Sequence, residues 1–432
     1  MVSEGWGLLA AILVAIGFII ISGSRFGWHP FFSLLAATLG LGVAIGLSLP
    51  ELLSAVRSGF GDLLGAVGLL IVLGAIIGVA LERSGAATRI AGVLLGGGRV
   101  FRGRGPGSKP GWRLTVVGAV VSVPVFCDSG YIILAGLLPA LAARSGKPVA
   151  VLALSLAGGL YLTHTLMPPT PGPLAAAANL GATESVGTIM LLALIVVVPV
   201  IVVVYKAAAY LGANVMASPP LPESAVAPAE PPALWLSLLP LVVPVGLIAV
   251  GVDPLISLIL GAGASLYLLR SGGRSQLIGE ALGLAGPILV ITGMGGAFGA
   301  VLKASSLAAD LTAYFAGRAV PGAGLLLLGF ALAAVLKTAQ GSSTGALVIA
   351  SSILYPLLPL AGLDTPVELA LTTLAIGAGA MTVSHANDSY FWVVTRFAGI
   401  EVADAYRSYT VLTGVMGISS LVMVLLLYFV LA

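Results

Sequence analysis

Tyr161-Leu-Thr-His-Thr-Leu-Met-Pro-Pro-Thr-Pro-Gly-Pro173 decides how this chain is read. The stretch sits within apolar sequence and holds one of the chain's three histidines, together with four prolines between Pro168 and Pro173. Proline lacks a backbone donor and clashes with the preceding turn, so this run predicts a break in any helix that reaches it. In hydrocarbon every unpaired backbone group is costly, and irregular chain is tolerated only inside protein or beside water. A break of that kind that also carries an ionisable side chain reads as a binding site.

The surrounding composition says which solvent the break must survive. Of 432 residues, 59% are hydrophobic and only 8% charged, against about 25% charged in soluble domains. The chain reads as an all-α polytopic membrane protein, with room for about 12 spans of about 20 residues each. Lipid is therefore one partner. A net charge of +3 is too small to imply nucleic acid, and the cations serve to set orientation. Cys127 is the single cysteine, which excludes an intrachain disulfide. Spans are expected at about 7–22, 30–49 and 62–82, the first retained rather than cleaved. His29, beside Trp28 in the connector after the first span, reads as incidental at the membrane interface. Arg99, Arg102, Arg104, Lys109 and Arg113 form the most basic loop, expected on the cytoplasmic side.

Self-similarity organises the rest. Gly65, Gly78 and Leu81 in one apolar run fall, at constant spacing, on Gly286, Gly299 and Leu302 in another. Gly158, Thr163 and His164 fall in the same way on Gly379, Ser384 and His385. Two apolar runs are broken in their middles, at Cys127-Asp-Ser-Gly130 and at Gln340-Gly-Ser-Ser-Thr-Gly345. A Pro-rich hydrophilic segment at 214–232 divides the chain, predicting one repeat over 1–213 and a second over 233–432. The basic loop has no equal in the second half, which fits opposite orientation in the membrane. Inverted repeats with discontinuous helices and re-entrant hairpins are the sequence pointer to a secondary transporter with its site between the breaks.

Four broken stretches therefore carry the candidate chemistry. The third and fourth histidine-bearing and hydroxyl-rich breaks, Thr163-His-Thr165 and Ser384-His-Ala-Asn-Asp-Ser389, complete the set. Between them they offer hydroxyls, two amides, two imidazoles, two carboxylates and free helix N-termini, which suit a small anion. No arginine lies in these motifs, so termini and hydroxyls are expected to hold the substrate. The substrate candidates are Ser129, Thr163, His164, Ser342, Ser343, Thr344, Asn387 and Ser389. The candidates for a coupling proton are Asp128, His164, His385 and Asp388, as imidazoles and as carboxylates set among apolar and small residues. Each has a plainer alternative: the histidines can pin a break in place, and the aspartates and serines can cap helices. No acidic or cysteine cluster completes a metal set around the histidines, no cofactor is implied, and no serine sits in a G-x-S-x-G nucleophile motif. A sodium-coupled carrier is the runner-up. A passive channel fits less well, and so does an intramembrane hydrolase, which would not need the same break twice.

At these motifs the chain resembles the gluconate:proton symporter (GntP) family of bacterial inner-membrane permeases. The matching residues are Asp128-Ser-Gly130, Gly158-Gly159, Thr163-His164 with Met167-Pro-Pro-Thr-Pro-Gly-Pro173, Gly341-Ser342, and Ser384-His-Ala-Asn-Asp-Ser389 with Phe391-Trp392. The resemblance implies proton-coupled uptake of a small sugar acid or hydroxy acid, gluconate first among them, by a non-enzymatic carrier in the cytoplasmic membrane of a bacterium or archaeon. It further implies a homodimer with scaffold and transport parts that move as an elevator. Cys127 and the Gly341-Ser-Ser-Thr-Gly345 hairpin depart from the family pattern, and the shared motifs do not single out one substrate.

Overall fold

The computed structural model describes residues 5–94, 109–218, 232–268, 273–304, 321–385 and 388–432. Arg99, Arg102 and Arg104 of the basic loop, most of the Pro-rich segment, and Asn387 lie outside the described residues. Among those described the chain is helical, its one β contact being the isolated bridge between Ala217 and Ile400.

The helices are α1 (Gly5–Phe26), α2 (Pro30–Ala44), α3 (Leu49–Arg83), α4 (Ala86–Leu94), α5 (Pro110–Val121), α6 (Cys127–Ala135), α7 (Leu138–Ser145), α8 (Val149–Leu166), α9 (Pro171–Asn179) and α10 (Val186–Leu211). The second half runs α11 (Leu234–Ala249), α12 (Pro254–Tyr267), α13 (Arg274–Lys303), α14 (Gly322–Gln340), α15 (Ser343–Leu354), α16 (Pro366–Ala380) and α17 (Ser389–Ala398). The last helix, α18 (Val402–Leu431), contains a π turn at Tyr406–Thr410. Seven helical stretches among the described residues are long and apolar enough to cross a membrane, and five shorter apolar helices accompany them.

α3 begins well before the expected 62–82. Ser48 starts it: the Glu51 carboxylate accepts from the Ser48 backbone N–H at 2.8 Å and from its hydroxyl at 2.6 Å. This closes the first turn and carries a polar stretch through Arg57 and Asp62 before the apolar run. At about 1.5 Å per residue the 35 residues of α3 outreach a hydrocarbon core of about 30 Å.

α3 packs along α13. Gly59, near the start of α3, meets Gly296, near the end of α13, while Arg83 at the end of α3 pairs with Glu280 near the start of α13 at 2.5 Å. The two helices therefore run antiparallel. Their crossing has no room for side chains, since a Cβ on Gly59 would lie 2.5 Å from the Gly296 carbonyl oxygen and 2.6 Å from the Ala300 Cβ. Such close backbone approach is how helices gain contact where lipid supplies no hydrophobic drive.

α8 and α16 occupy the interior. Every residue of α8 from Ala150 to Leu166, and every residue of α16 from Ala370 to Ala380, is buried. Helices apolar on all sides belong in a core. α8 packs on α5, and α16 on α14; α10 and α18 lie against each other and against this pair. The short helices that follow the breaks meet across the halves, α9 on α15 and α6 on α17.

Candidate functional site

Each broken stretch ends one helix and starts another. α8 stops at Leu166, and only Met167–Thr170 is irregular; α9 already begins at Pro171. No helix passes through Pro168–Pro173, as the prolines require, but the irregular stretch is shorter than the proline run. Pro171 and Pro173 stand in the first turn of α9, where the backbone N–H groups have no helical partner to lose. In the second half α14 ends on Gly341, which takes the left-handed conformation at φ 75°, and Ser342 caps α15 by accepting from the Gly345 N–H at 3.0 Å. α16 ends at Ala380, and Val383 holds φ 56°, a strained value for a β-branched residue. Asp388 then caps α17, its Oδ1 accepting from the Tyr390 N–H at 3.1 Å.

The starts of these four short helices converge in two pairs. Gly172, in the first turn of α9, faces Thr344 in the first turn of α15. Ser389, the first residue of α17, donates its hydroxyl to Asp128 Oδ1 of α6 at 3.4 Å. Two residues distant in sequence link the pairs. Lys337 of α14 is fully buried, and its Nζ lies 2.6 Å from Asp388 Oδ2, whose side chain is 7% exposed. The same ammonium donates to the Gly341 carbonyl at 2.9 Å and stands 5.9 Å from the centre of the Tyr161 ring. The Ser384 hydroxyl also donates to Asp388 Oδ2. Removing two charges from water is tolerated only when geometry and further hydrogen bonds compensate, and here both ions have several partners.

Tyrosines surround this pair. Tyr161, Tyr131 and Tyr409 pack on Tyr390 with ring centres 5.2, 6.0 and 6.0 Å away. Tyr390 donates its hydroxyl to the Ala157 carbonyl at 3.1 Å. Among the described residues the Tyr131 hydroxyl and His164 Nδ1 are buried without a hydrogen-bond partner, and the buried Tyr161 and Tyr409 hydroxyls, near Ser343 and Ser384, make no close hydrogen bond. Buried polar atoms are nearly always paired, so this concentration is the mark of a place built for a polar guest. His164 lines a small cavity together with Gly74, Phe126 and Thr170.

The sequence-predicted residues divide accordingly. Ser389 meets Asp128 next to Asp388, Thr344 meets the start of α9, His164 lines the cavity between Phe126 and Thr170, and Ser343 lies near Tyr161. Ser342 serves as a helix cap. Thr163 turns away, donating to the Ala119 carbonyl at 2.9 Å. Ser129 faces Glu82 of α3. His385 pins its break, with Nε2 2.9 Å from the Thr338 carbonyl oxygen and its ring stacked on Tyr406. Lys337 was not among the sequence candidates; a cation in the last turn of an otherwise apolar helix was its only signal. Among the described residues no three His, Cys, Asp or Glu side chains gather as a metal set.

Comparison with known proteins fits this architecture. The family model described as "GntP family permease" matches residues 7–269 and 253–430. A protein named gluconate permease from Pseudomonas aeruginosa is 29% identical over 100% of this chain and 99% of its own length. The inner membrane permease YgbN of Escherichia coli is 30% identical over 90% of this chain and 91% of its own. The D-serine transporter DsdX of Escherichia coli is 28% identical over the whole of both. Among solved structures, the YdaH transporter of Alcanivorax borkumensis superimposes with a TM-score of 0.67 over 93% of this chain and 99% of its own, at 17% identity. MtrF of Neisseria gonorrhoeae gives 0.68 over 96% and 97%, at 15% identity. At such identities these two speak for the fold alone. With relatives named as permeases and transporters aligned along its whole length, the chain is a secondary transporter rather than an enzyme, spans the bacterial inner membrane several times, and belongs to the GntP family of permeases.

Proposed function

We propose that the protein carries a small hydroxy-carboxylate, gluconate first among the candidates, together with a proton. The observation that carries this reading is the meeting of four helix starts around the buried Lys337–Asp388 pair. Free N-termini and an ammonium suit a carboxylate, and the Tyr131 hydroxyl and His164 Nδ1 suit the polar groups of a hydroxy acid. The cargoes named for relatives point the same way: gluconate, L-idonate and D-serine each carry a polar group on the carbon next to a carboxylate. Asp128 and Asp388, with His164 near them and His385 at the break that Asp388 ends, are the candidate proton-binding groups. Sodium remains the alternative coupling ion, since hydroxyls and freed carbonyls at broken helices are its usual ligands.

The reading includes two inverted repeats, 1–213 and 233–432, joined by the segment 214–232. The antiparallel run of α3 against α13 supports it, because these helices correspond in the sequence repeat. It also includes a homodimer in which one part of each chain moves against the other.

Purified protein in liposomes tests the central claim. An inwardly directed proton gradient, without sodium, should accelerate uptake of labelled gluconate, glycerate, lactate or serine. Uptake that ignores the gradient and follows sodium instead would replace the proton reading with the sodium one.

A further inference from the structure

Resting on that reading, we propose that the substrate carboxylate and Asp388 are alternative partners of the Lys337 ammonium, and that exchange between them is the coupling step. In the present arrangement Lys337 is fully buried and spends its donors on Asp388, at 2.6 Å, and on the Gly341 carbonyl, at 2.9 Å. Both contacts lie at breaks: Gly341 closes α14, and Asp388 opens α17. A buried cation in this position cannot remain unpaired. An incoming carboxylate therefore reaches it only if Asp388 lets go, and Asp388 lets go without leaving a second buried charge only if it takes up a proton from the aqueous side.

The charge balance follows. Counting Lys337, Asp388 and the substrate, with Asp128 neutral and unchanged throughout, the site without substrate holds one ammonium and one carboxylate, neutral together. With substrate it holds the ammonium, the substrate carboxylate and a protonated Asp388, again neutral together. The two intermediate loadings, substrate without proton and proton without substrate, each leave one net charge buried in the membrane interior, where it is expensive. Only the two neutral states cross readily, which is symport of one proton with one anion.

Asp388 is placed to keep its structure through this change. Ser384 already bonds Oδ2, and the Tyr390 N–H bonds Oδ1, so the side chain stays anchored when the ammonium leaves. The titratable groups around it are Lys337 from α14, His164 and Tyr161 from α8, Cys127 and Asp128 from α6, and Tyr409 from α18. Of these only Lys337 bonds the carboxylate.

The experiment measures binding and transport separately, using whichever of gluconate, glycerate, lactate and serine the wild type accumulates best. Wild-type affinity, read by isothermal titration in detergent, should weaken about tenfold per pH unit once the pH is high enough that binding must take up its proton from solution, the slope of one linked proton. Asp388→Asn imitates the protonated carboxyl: it should bind substrate without that slope, exchange substrate across the membrane, and fail to accelerate uptake in a proton gradient. Lys337→Gln should bind at no pH. Because a single change at a buried pair can unfold the protein, Lys337→Gln with Asp388→Asn is the companion variant; it should melt cooperatively and still not bind. Wild-type affinity in either Lys337→Gln protein, or an unchanged pH slope in Asp388→Asn, would overturn the exchange while leaving proton symport standing. A wild type indifferent to the gradient would remove the symport reading itself.

Discussion

At the scale of single residues, the site is a case of polar atoms doing two tasks at once. Asp388 caps α17 and pairs with Lys337, while Ser342 caps α15 at the break that follows Lys337. Capping and function were weighed as alternatives from the sequence, yet the structure lets one carboxylate do both, through its two oxygens. The energetic consequence is testable. Removing one member of a buried ion pair costs about 3–5 kcal/mol, while replacing both by groups of similar size is often neutral. Lys337→Met should therefore lower the melting temperature in detergent, and adding Asp388→Leu should restore most of it; equal losses in the single and double variants would mean that the pair is not stabilised as a unit. His164 makes a different prediction. Its Nδ1 bonds nothing among the described residues, so His164→Ala should cost uptake much more than it costs stability, and unchanged uptake would remove it from the site. The histidines and Asp388 were legible because ionisable residues within apolar sequence stand out. Lys337 was not, since a lysine closing an apolar run ordinarily carries its ammonium out to the interface. Only the fold reveals that α14 ends in the interior.

At the scale of elements, the breaks were visible as proline and glycine clusters, but their extent was not. Pro171 and Pro173 read as interruption, whereas a helix tolerates them in its first turn, and the irregular stretch shrinks to Met167–Thr170. The length of α3 was hidden for the opposite reason: hydropathy locates the buried part of a helix and is blind to the polar turns that Ser48 and Glu51 start. Glycine is where sequence and packing meet most directly. Gly59 and Gly296 touch backbone to backbone, so Gly59→Val overfills the crossing of α3 and α13 and should cost about 1–3 kcal/mol. Gly40 of α2 has nothing within 4 Å of a Cβ, and Gly40→Ala should instead stabilise by about 0.5–1 kcal/mol through lost backbone freedom. Thermal melts of the two variants in one detergent check both signs, and a Gly59→Val protein as stable as wild type would mean the two helices part without cost.

At the scale of the molecule, the question is which parts move. α3 and α13 hold each other through their glycine crossing, and the short helices hold each other, α9 on α15 and α6 on α17. Between the first group and the pair α9–α15 runs a cleft lined by Asp62, Asn179, Gly299, Lys303, Ser352 and Tyr355. Elevator movement requires this boundary to slide, because the alternative of opening each break separately would separate α9 from α15, which Asn179 ties together by donating to the Val348 carbonyl at 3.0 Å and to Ser351 Oγ at 2.9 Å. A covalent tie across the cleft distinguishes the two. A Cβ on Gly299 of α13 would stand 3.8 Å from the Ser352 Cβ of α15, the mean separation in a disulfide of about 3.8 Å. Among the described residues Ser352 bonds only the Val348 carbonyl of its own helix, so its hydroxyl can be spared, and the chain's one native cysteine is buried. In the variant Gly299→Cys with Ser352→Cys, oxidation should abolish uptake by liposomes while leaving substrate binding in detergent within about twofold, and dithiothreitol should restore uptake. Full transport with the disulfide closed would mean that α13 and α15 keep one arrangement through the whole cycle, and the movement would then have to be sought within the breaks themselves.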